Sequence, residues 1–215
     1  MRHAPACVLV FARYPTPGQA KTRLIPALGP EGAAQLYRWL AERVIAQARS
    51  LQRQGLVDIA LWHSGATAET MGDWLGQDLI YCAQPEGDLG HRLATAMDWA
   101  FNQGYESALV IGTDCPDLDA AILNQGLESL AAGVDLVLGP AQDGGYYLLG
   151  LTAPQPTLFE GIAWSTSTVL AQTKAQAQRL HLTVADLPIL TDIDTPEDLA
   201  HLSPSWPVSL RKPEP

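Results

Sequence analysis

Three cations stand within eleven residues in the segment Arg13-Tyr14-Pro15-Thr16-Pro17-Gly18-Gln19-Ala20-Lys21-Thr22-Arg23. Lys offers a point charge and Arg a planar fork, so together they can compensate a di- or triphosphate. Gly18 lets the backbone come close to such a ligand. The segment is not a Walker A loop, because Gly18-x-x-Lys21-Thr22 lacks the first glycine and its spacing, and it is not G-x-G-x-x-G either. The same residues also suit a solvated surface loop. A second cluster, Ile111-Gly112-Thr113-Asp114-Cys115-Pro116-Asp117-Leu118, sets Asp114 directly after an apolar run. A carboxylate held there can bind Mg²⁺ or Mn²⁺ against phosphate oxygens, or it can simply cap a turn before Pro116. In Asp192-Ile193-Asp194-Thr195-Pro196-Glu197-Asp198, Asp194 is either a second metal carboxylate or the start of a helix.

Three further clusters carry weaker signals. Asp143-Gly144-Gly145 lies between two apolar runs. It reads as a tight hairpin, or as bare backbone on which a sugar could lie while Asp143 accepts a hydrogen bond from an acceptor. In Gln84-Pro85-Glu86-Gly87-Asp88-Leu89-Gly90-His91-Arg92, the amides near Gly90 and the Arg92 side chain can meet a ribose, base or phosphate. In Trp164-Ser165-Thr166, the hydroxyls of Ser165 and Thr166 can cap a helix, and Trp164 can stack on a sugar.

Elements that must position these residues follow from the apolar pattern. Ala6–Ala12, Asp58–Trp62, Leu79–Cys82, Ser107–Gly112, Asp135–Gly139, Tyr146–Leu151 and Leu182–Leu187 read as strands, the first and fourth as buried ones. Glu31–Gln54 is helical: Ala33, Leu36, Tyr37, Leu40, Val44, Ile45 and Ala48 recur at the helical period, and Gly55 closes it. Further helices are expected at Ala68–Leu75, Asp88–Gln103, Asp119–Ala131 with Asp119 as N-cap, from Ser165 or Thr166 to about Leu180, and after Asp194. Strands alternating with helices predict an α/β fold, a three-layer sandwich with a mostly parallel sheet. Ligands bind beyond the carboxyl ends of such strands, and each cluster above follows a strand.

Composition sets the outer limits. The chain of 215 residues is 47 % hydrophobic and 17 % charged, which excludes wholesale disorder. Its three cysteines, Cys7, Cys82 and Cys115, are too few and too scattered for a disulfide framework. The basic start followed by a short apolar run ended at Arg13 lacks a secretory leader's length and cleavage site, so a cytoplasmic location is expected. Net charge is −10, which disfavours nucleic-acid binding. Residues 1–53 nonetheless hold eight of the thirteen Lys and Arg and only two acids, Glu31 and Glu42. A basic first quarter in an acidic chain suits a small phosphorylated ligand that also needs a cation. One domain is expected over residues 1–202, followed by a Pro-rich tail, 203–215.

Taken together, FARYPTPGQAKTRL, PEGDLGHRLATA, VIGTDCPDL, GPAQDGGYYLLGL, WSTSTVL and LTDIDTPEDL resemble a bacterial family of predicted glycosyltransferases, some members of which are labelled as acting in arsenosugar biosynthesis. The resemblance covers residues 6–202 and implies the nucleotide-diphospho-sugar transferase (GT-A) fold. The family is also similar to the molybdenum-cofactor nucleotidyltransferases and to 2-phospholactate guanylyltransferase. Those relatives imply that Lys21 binds phosphate, that Asp114 binds metal, and that Asp194, before Thr-Pro-Glu-Asp, completes the metal site. The chain departs from them in two places: Phe11-Ala12-Arg13-Tyr14-Pro15 replaces the nucleotidyltransferase L-x-G-G start, and the glycosyltransferase D-x-D is here Asp114-Cys115-Pro116. The implied activity is Mg²⁺- or Mn²⁺-dependent transfer of a sugar from a nucleoside-diphosphate sugar to a small acceptor. Arg13, Lys21 and Arg23 would hold the phosphates, with Gly18, Gly90 and Arg92 at the nucleotide. Asp143, Gly144, Gly145, Trp164, Ser165 and Thr166 would meet acceptor or sugar. The alternatives are nucleotidyl transfer from a triphosphate to a phosphorylated acceptor, and a non-catalytic nucleotide-binding domain.

Overall fold

In the computed structural model, residues 4–202 are described; the expected Pro-rich tail, 203–215, lies outside them. Seven strands form one sheet: β1 (Ala6–Arg13), β2 (Val57–Ser64), β3 (Ile80–Ala83), β4 (Ser107–Ile111), β5 (Leu136–Pro140), β6 (Tyr146–Leu151) and β7 (Val184–Asp186). Their spatial order is β3-β2-β1-β4-β6-β5-β7. Only β6 runs against its neighbours, antiparallel to both β4 and β5. The sheet is therefore mostly parallel, as the sequence predicts.

The helices are α1 (Ile25–Gln52), α2 (Ala68–Leu75), α3 (Leu89–Asn102), α4 (Ala120–Ala131) and α5 (Val169–Arg179). They cover both faces of the sheet, and this explains the unbroken apolar run of β1. Val8 and Val10 point to the layer of α1, α2 and α4. Cys7 and Leu9 point to the layer of α3 and α5. The cysteines are free thiols, and among the described residues no helix is long and apolar enough to cross a membrane.

Two helix ends differ from expectation. Helix α1 begins at Ile25 rather than Glu31, with a kink at Gly29 (φ 73°) ahead of Pro30. Proline cannot donate in a regular helix and favours a first-turn position, so Glu31 marks only the start of the straight part. Helix α5 begins at Val169, and neither Ser165 nor Thr166 caps it. Thr166 Oγ1 instead donates to Ala163 O within its own turn. Asp119 does cap α4, its Oδ1 accepting from Ile122 N at 2.9 Å.

The chain walks outward from β1 to β3, then α3 carries it back to β4 on the other side of β1. This reversal opens a crevice where β1 and β4 end, the usual ligand position in such sheets. Past β7, residues 187–193 form a strap along β5. Leu187 N donates to Leu138 O, Leu190 N to Pro140 O, and Ile193 N to Asp114 O. Tyr147 lies across β5, donating from Oη to Pro188 O at 2.9 Å. Gly139 makes room for it, since a Cβ there would stand 2.5 Å from the tyrosine ring. A third apolar cluster holds the strap against α1: Leu24, Leu36, Leu40 and Ile193 are all fully buried, with Leu199 and Leu202 packed on them.

If this cluster belongs to the cooperative unit, Ile193→Ala should cost about 2–5 kcal/mol, the range for an aliphatic side chain cut back in a tight core. Urea unfolding checks it; a loss below about 1 kcal/mol would mean that the strap frays independently of the domain.

Candidate active site

A cleft of about 820 Å³ opens at the carboxyl ends of β1, β4 and β5. That is the size of a small-molecule site. Lys21 lies at its centre. Its backbone is left-handed (φ 48°, ψ 49°), a rare conformation for a non-glycine residue, and it leads into a 3-10 turn over Thr22–Leu24. The side chain is only 6 % exposed. A buried ammonium needs compensation, and two carboxylates supply it. Nζ stands 2.7 Å from Asp114 Oδ1 and 3.5 Å from Asp194 Oδ1. Burial pulls the Lys21 pKa down, but the charge of Asp114, in close contact, and then that of Asp194 outweigh it and hold the pKa above its ordinary 10.5.

These two carboxylates come from distant parts of the chain. Asp114 follows β4, and Asp194 arrives on the strap, whose Ile193 N bonds Asp114 O. Asp194 is not the cap of the last turn. That 3-10 turn, Glu197–His201, has no side-chain cap; Asp198 within it reaches back, its Oδ2 accepting from the backbone N–H of Asp194 and Thr195 and from Thr195 Oγ1. The Asp194 carboxylate is thereby left to Lys21 and to Arg23, which bonds its Oδ2. Arg23 itself is 70 % exposed.

Asp114 Oδ1 is sealed from solvent and, although 2.7 Å from Lys21 Nζ, makes no well-aligned hydrogen bond. Hard carboxylate oxygens of this kind suit Mg²⁺ or Mn²⁺. Among the described residues no three His, Cys, Asp or Glu side chains converge as a ready-made metal cage. The protein therefore offers two carboxylates, and phosphate oxygens or water would complete the shell, as is usual for Mg²⁺. On this count the residues fit a divalent cation.

Tyr37 and Asp192 also belong to the cleft, and the sequence reading gave neither a role there. Buried Tyr37 Oη accepts from Arg13 N at 2.8 Å and from Thr113 Oγ1 at 3.1 Å, tying the ends of β1 and β4 together. Burial, then the Asp114 charge, pushes its pKa up, so the phenol stays protonated. Its signal was a hydroxyl-bearing ring on an otherwise aliphatic helix face, where the O–H must find a partner. For Asp192 the signal was the alternation Asp192-Ile193-Asp194. Burying Ile193 in extended chain turns both neighbours the other way. Burial, then the charge of Asp143, raises the Asp192 pKa. Cys115 also lines the cleft, but burial and the charges of Asp114 and Asp192 push its pKa upward, so it is no thiolate nucleophile.

The remaining candidates divide. Arg13 lines the cleft, with Nη2 3.3 Å from Gln19 Oε1. Asp143, Gly145, Trp164, Ser165 and Thr166 also line it. Asp143-Gly144 forms the turn between β5 and β6, with Asp143 Oδ1 accepting from Gly145 N at 2.8 Å. Gly18, Gly90, Arg92 and Gly144 are not among the lining residues. Gly18 sits in an exposed turn at φ 77°. Arg92 holds its own turn through Gly87 O and Gln84 Oε1. Gly90 and Gly144 allow close packing: a Cβ would stand 2.7 Å from Trp164 Nε1 at Gly90, and 2.1 Å from Ser167 O at Gly144. Both glycines bring the 164–168 segment over the cleft.

Comparison with known proteins places this architecture. A structure from Desulfovibrio desulfuricans G20, named "putative nucleotide-diphospho-sugar transferase", is 34 % identical, with a TM-score of 0.84, covering 89 % of this chain and 83 % of that one. Glucosyl-3-phosphoglycerate synthase from Mycobacterium tuberculosis, solved with Mn²⁺, UDP and glucosyl-3-phosphoglycerate, is 14 % identical with a TM-score of 0.58, over 91 % of this chain and 74 % of that one. A cytidylyltransferase from Leptospira borgpetersenii serovar Hardjo-bovis (strain JB197) is 15 % identical with a TM-score of 0.55, over 97 % and 92 %. No curated protein matches the chain. The fold is thus that of the nucleotide-diphospho-sugar transferases. Residues 47–166 match the family model described as "Uncharacterized protein conserved in bacteria (DUF2064)", and with the 34 % identity over most of both chains this makes the protein a member of that family.

Proposed function

We propose that this protein is a glycosyltransferase that moves a sugar from a nucleoside-diphosphate sugar to a small acceptor, with Mg²⁺ or Mn²⁺ as cofactor. One observation carries the reading: a buried, charged Lys21 flanked by Asp114 and Asp194 in the crevice between β1 and β4. The name of the Desulfovibrio relative and the Mn²⁺ and UDP in the mycobacterial neighbour support it. Asp114 and Asp194 would hold the metal, which when bound neutralises charge on the donor phosphates. Lys21 would stabilise the diphosphate as it departs, more strongly than in water because its surroundings are dry. Arg13 and Arg23, at the exposed rim, would capture the incoming phosphates. Asp143, which lines the same cleft, would orient the acceptor hydroxyl and take its proton. Trp164 and the hydroxyls of Ser165 and Thr166 would bound the sugar.

Nucleotidyl transfer would use the same cations and carboxylates, so the product decides. Purified protein is screened with nucleoside-diphosphate sugars and nucleoside triphosphates, with and without Mn²⁺, first by thermal shift and then for turnover. A donor at 100 times its Kd should stabilise the protein by about 2.7 kcal/mol. Free nucleoside diphosphate released from a sugar donor supports the proposal. Pyrophosphate released from a triphosphate replaces it with nucleotidyl transfer, and tight binding with no turnover on any acceptor replaces it with a binding domain.

Two side chains give sharper expectations. Asp143→Asn keeps the oxygen that accepts from Gly145 N but loses the base. It should lower kcat by about 10²–10⁴-fold with donor KM little changed; an equal fall confined to donor affinity would assign Asp143 to nucleotide binding. For Lys21, a pKa raised on folding means that its stabilising charge is complete below 10.5 and is lost only as pH climbs through the raised value. NMR titration of ¹³C-labelled lysine should find Lys21 more than half charged at pH 10.5. A midpoint at or below that pH would show burial overriding both carboxylates.

A further inference from the structure

Lys21 Nζ, 2.7 Å from Asp114 Oδ1 and 3.5 Å from Asp194 Oδ1, sits between the two oxygens that a shared cation would need. A divalent cation takes its oxygens at about 2.0–2.6 Å, so it and the ammonium cannot occupy that gap together. Among the described residues Lys21 is the cation paired with Asp114, whereas Asp194 has a second partner in exposed Arg23. The ammonium is held in place by these charges rather than by a rigid anchor. It ends a flexible four-carbon stem, and the backbone that carries it is in a sparsely populated left-handed conformation.

We infer that Lys21 is a built-in counter-ion which competes with the divalent metal for Asp114 and Asp194. This rests on the metal-dependent reading given above and deepens it. The free protein then holds metal weakly. An anionic phosphate in the cleft offers Lys21 a new partner and frees both carboxylates, so phosphate and metal strengthen each other's binding reciprocally. The same exchange keeps the two half-buried carboxylates neutralised whenever the donor is absent.

The probe is Mn²⁺ alone, followed by loss of the free-ion EPR signal, with no nucleotide present. Wild type is compared with Lys21→Met, Lys21→Gln and Arg23→Met, each checked for folding by circular dichroism. Lys21→Gln retains a hydrogen-bonding group beside Asp114 and serves where Lys21→Met fails to fold. Loss of the Lys21 charge should tighten Mn²⁺ binding at least about tenfold, within the range of ordinary coupling between sites. Arg23→Met should change it less. Binding by wild type and the Lys21 variants with equal affinity, or weaker binding by the variants, overturns the competition and leaves the metal site standing. No binding by any variant overturns the metal reading, and the inference with it.

Discussion

Burying one ammonium organises this molecule. An isolated charge of this kind, moved out of water, costs several kcal/mol unless a partner of opposite sign comes with it. The Lys21 side chain, carried on the loop after β1, is buried at the cleft, so its partners must be delivered to it. Asp114 comes with the sheet, because β4 pairs directly with β1 and ends at Ile111, opposite Val10. Asp194 comes only if the chain, after β7, returns along β5 and crosses to the end of β4. The strap, its hydrogen bonds to Leu138, Pro140 and Asp114, and the apolar cluster on α1 all follow from that requirement. The strap's fixed course also sets Asp192 in the cleft and leaves the Asp194 carboxylate free of capping duty.

The reversed strand β6 serves the same edge. A parallel crossover would bring the chain back at the amino ends of the strands. The hairpin at Ala141–Gly145 instead turns at the carboxyl end of β5, which places Asp143 in the cleft that Lys21 lines. The glycines that looked like ligand-facing backbone work one layer further out. Gly90 lets Trp164 lie on the first turn of α3, and Gly144 lets Ser167 O approach the hairpin. Bare backbone here sets the position of a wall, and the side chains on the wall face inward.

How much of this was legible follows from what each feature's signal depends on. A strand covered on both faces must be apolar at every position, so ACVLVFA and SALVI announce themselves locally. Asp119 as a cap is likewise a local matter. The kink of α1 was half visible: Pro30 marks a break, but the extra turn from Ile25 is stabilised by Leu24 and Leu28 packing against Ile193, a contact across most of the chain. Lys21, Asp114 and Asp194 could be named because each stands after an element end in a segment with few other uses. Their meeting was expected only through the resemblance, which puts Asp114 and Asp194 at one metal site; no local pattern carries it, because it depends on the course of the strap. Tyr37 and Asp192 were passed over because helical and extended periodicities classify residues as inward or outward, and both point inward to a polar place. Arg92 and Gly90 were misplaced in the opposite sense: their turn begins a helix near the cleft, but its groups are already satisfied by Gly87, Gln84 and the Trp164 ring.

The basic first quarter of an acidic chain now has a physical account. Its helical arginines are engaged on the outer face of α1. Arg43 Nε donates to Pro116 O, Arg49 bonds Leu75 O and Asp78, and Arg38 pairs with Glu42 and lies over Trp74. These contacts tie α1 to the loop behind Asp114 and to α2; they do not reach the cleft. The cations at the cleft are those of the Pro/Gly loop, Arg13, Lys21 and Arg23, and they share its lining with Asp114, Asp143, Asp192 and Asp194. A cleft so lined has little net charge of its own, and its opposite charges are paired in contact, Lys21 with Asp114 and Arg23 with Asp194. An anion that draws these cations away leaves the carboxylates in need of a cation, and a cation bound by the carboxylates leaves Lys21 and Arg23 in need of an anion. Charge balance alone therefore favours a ligand that brings both, and a metal–diphosphate pair is of that kind.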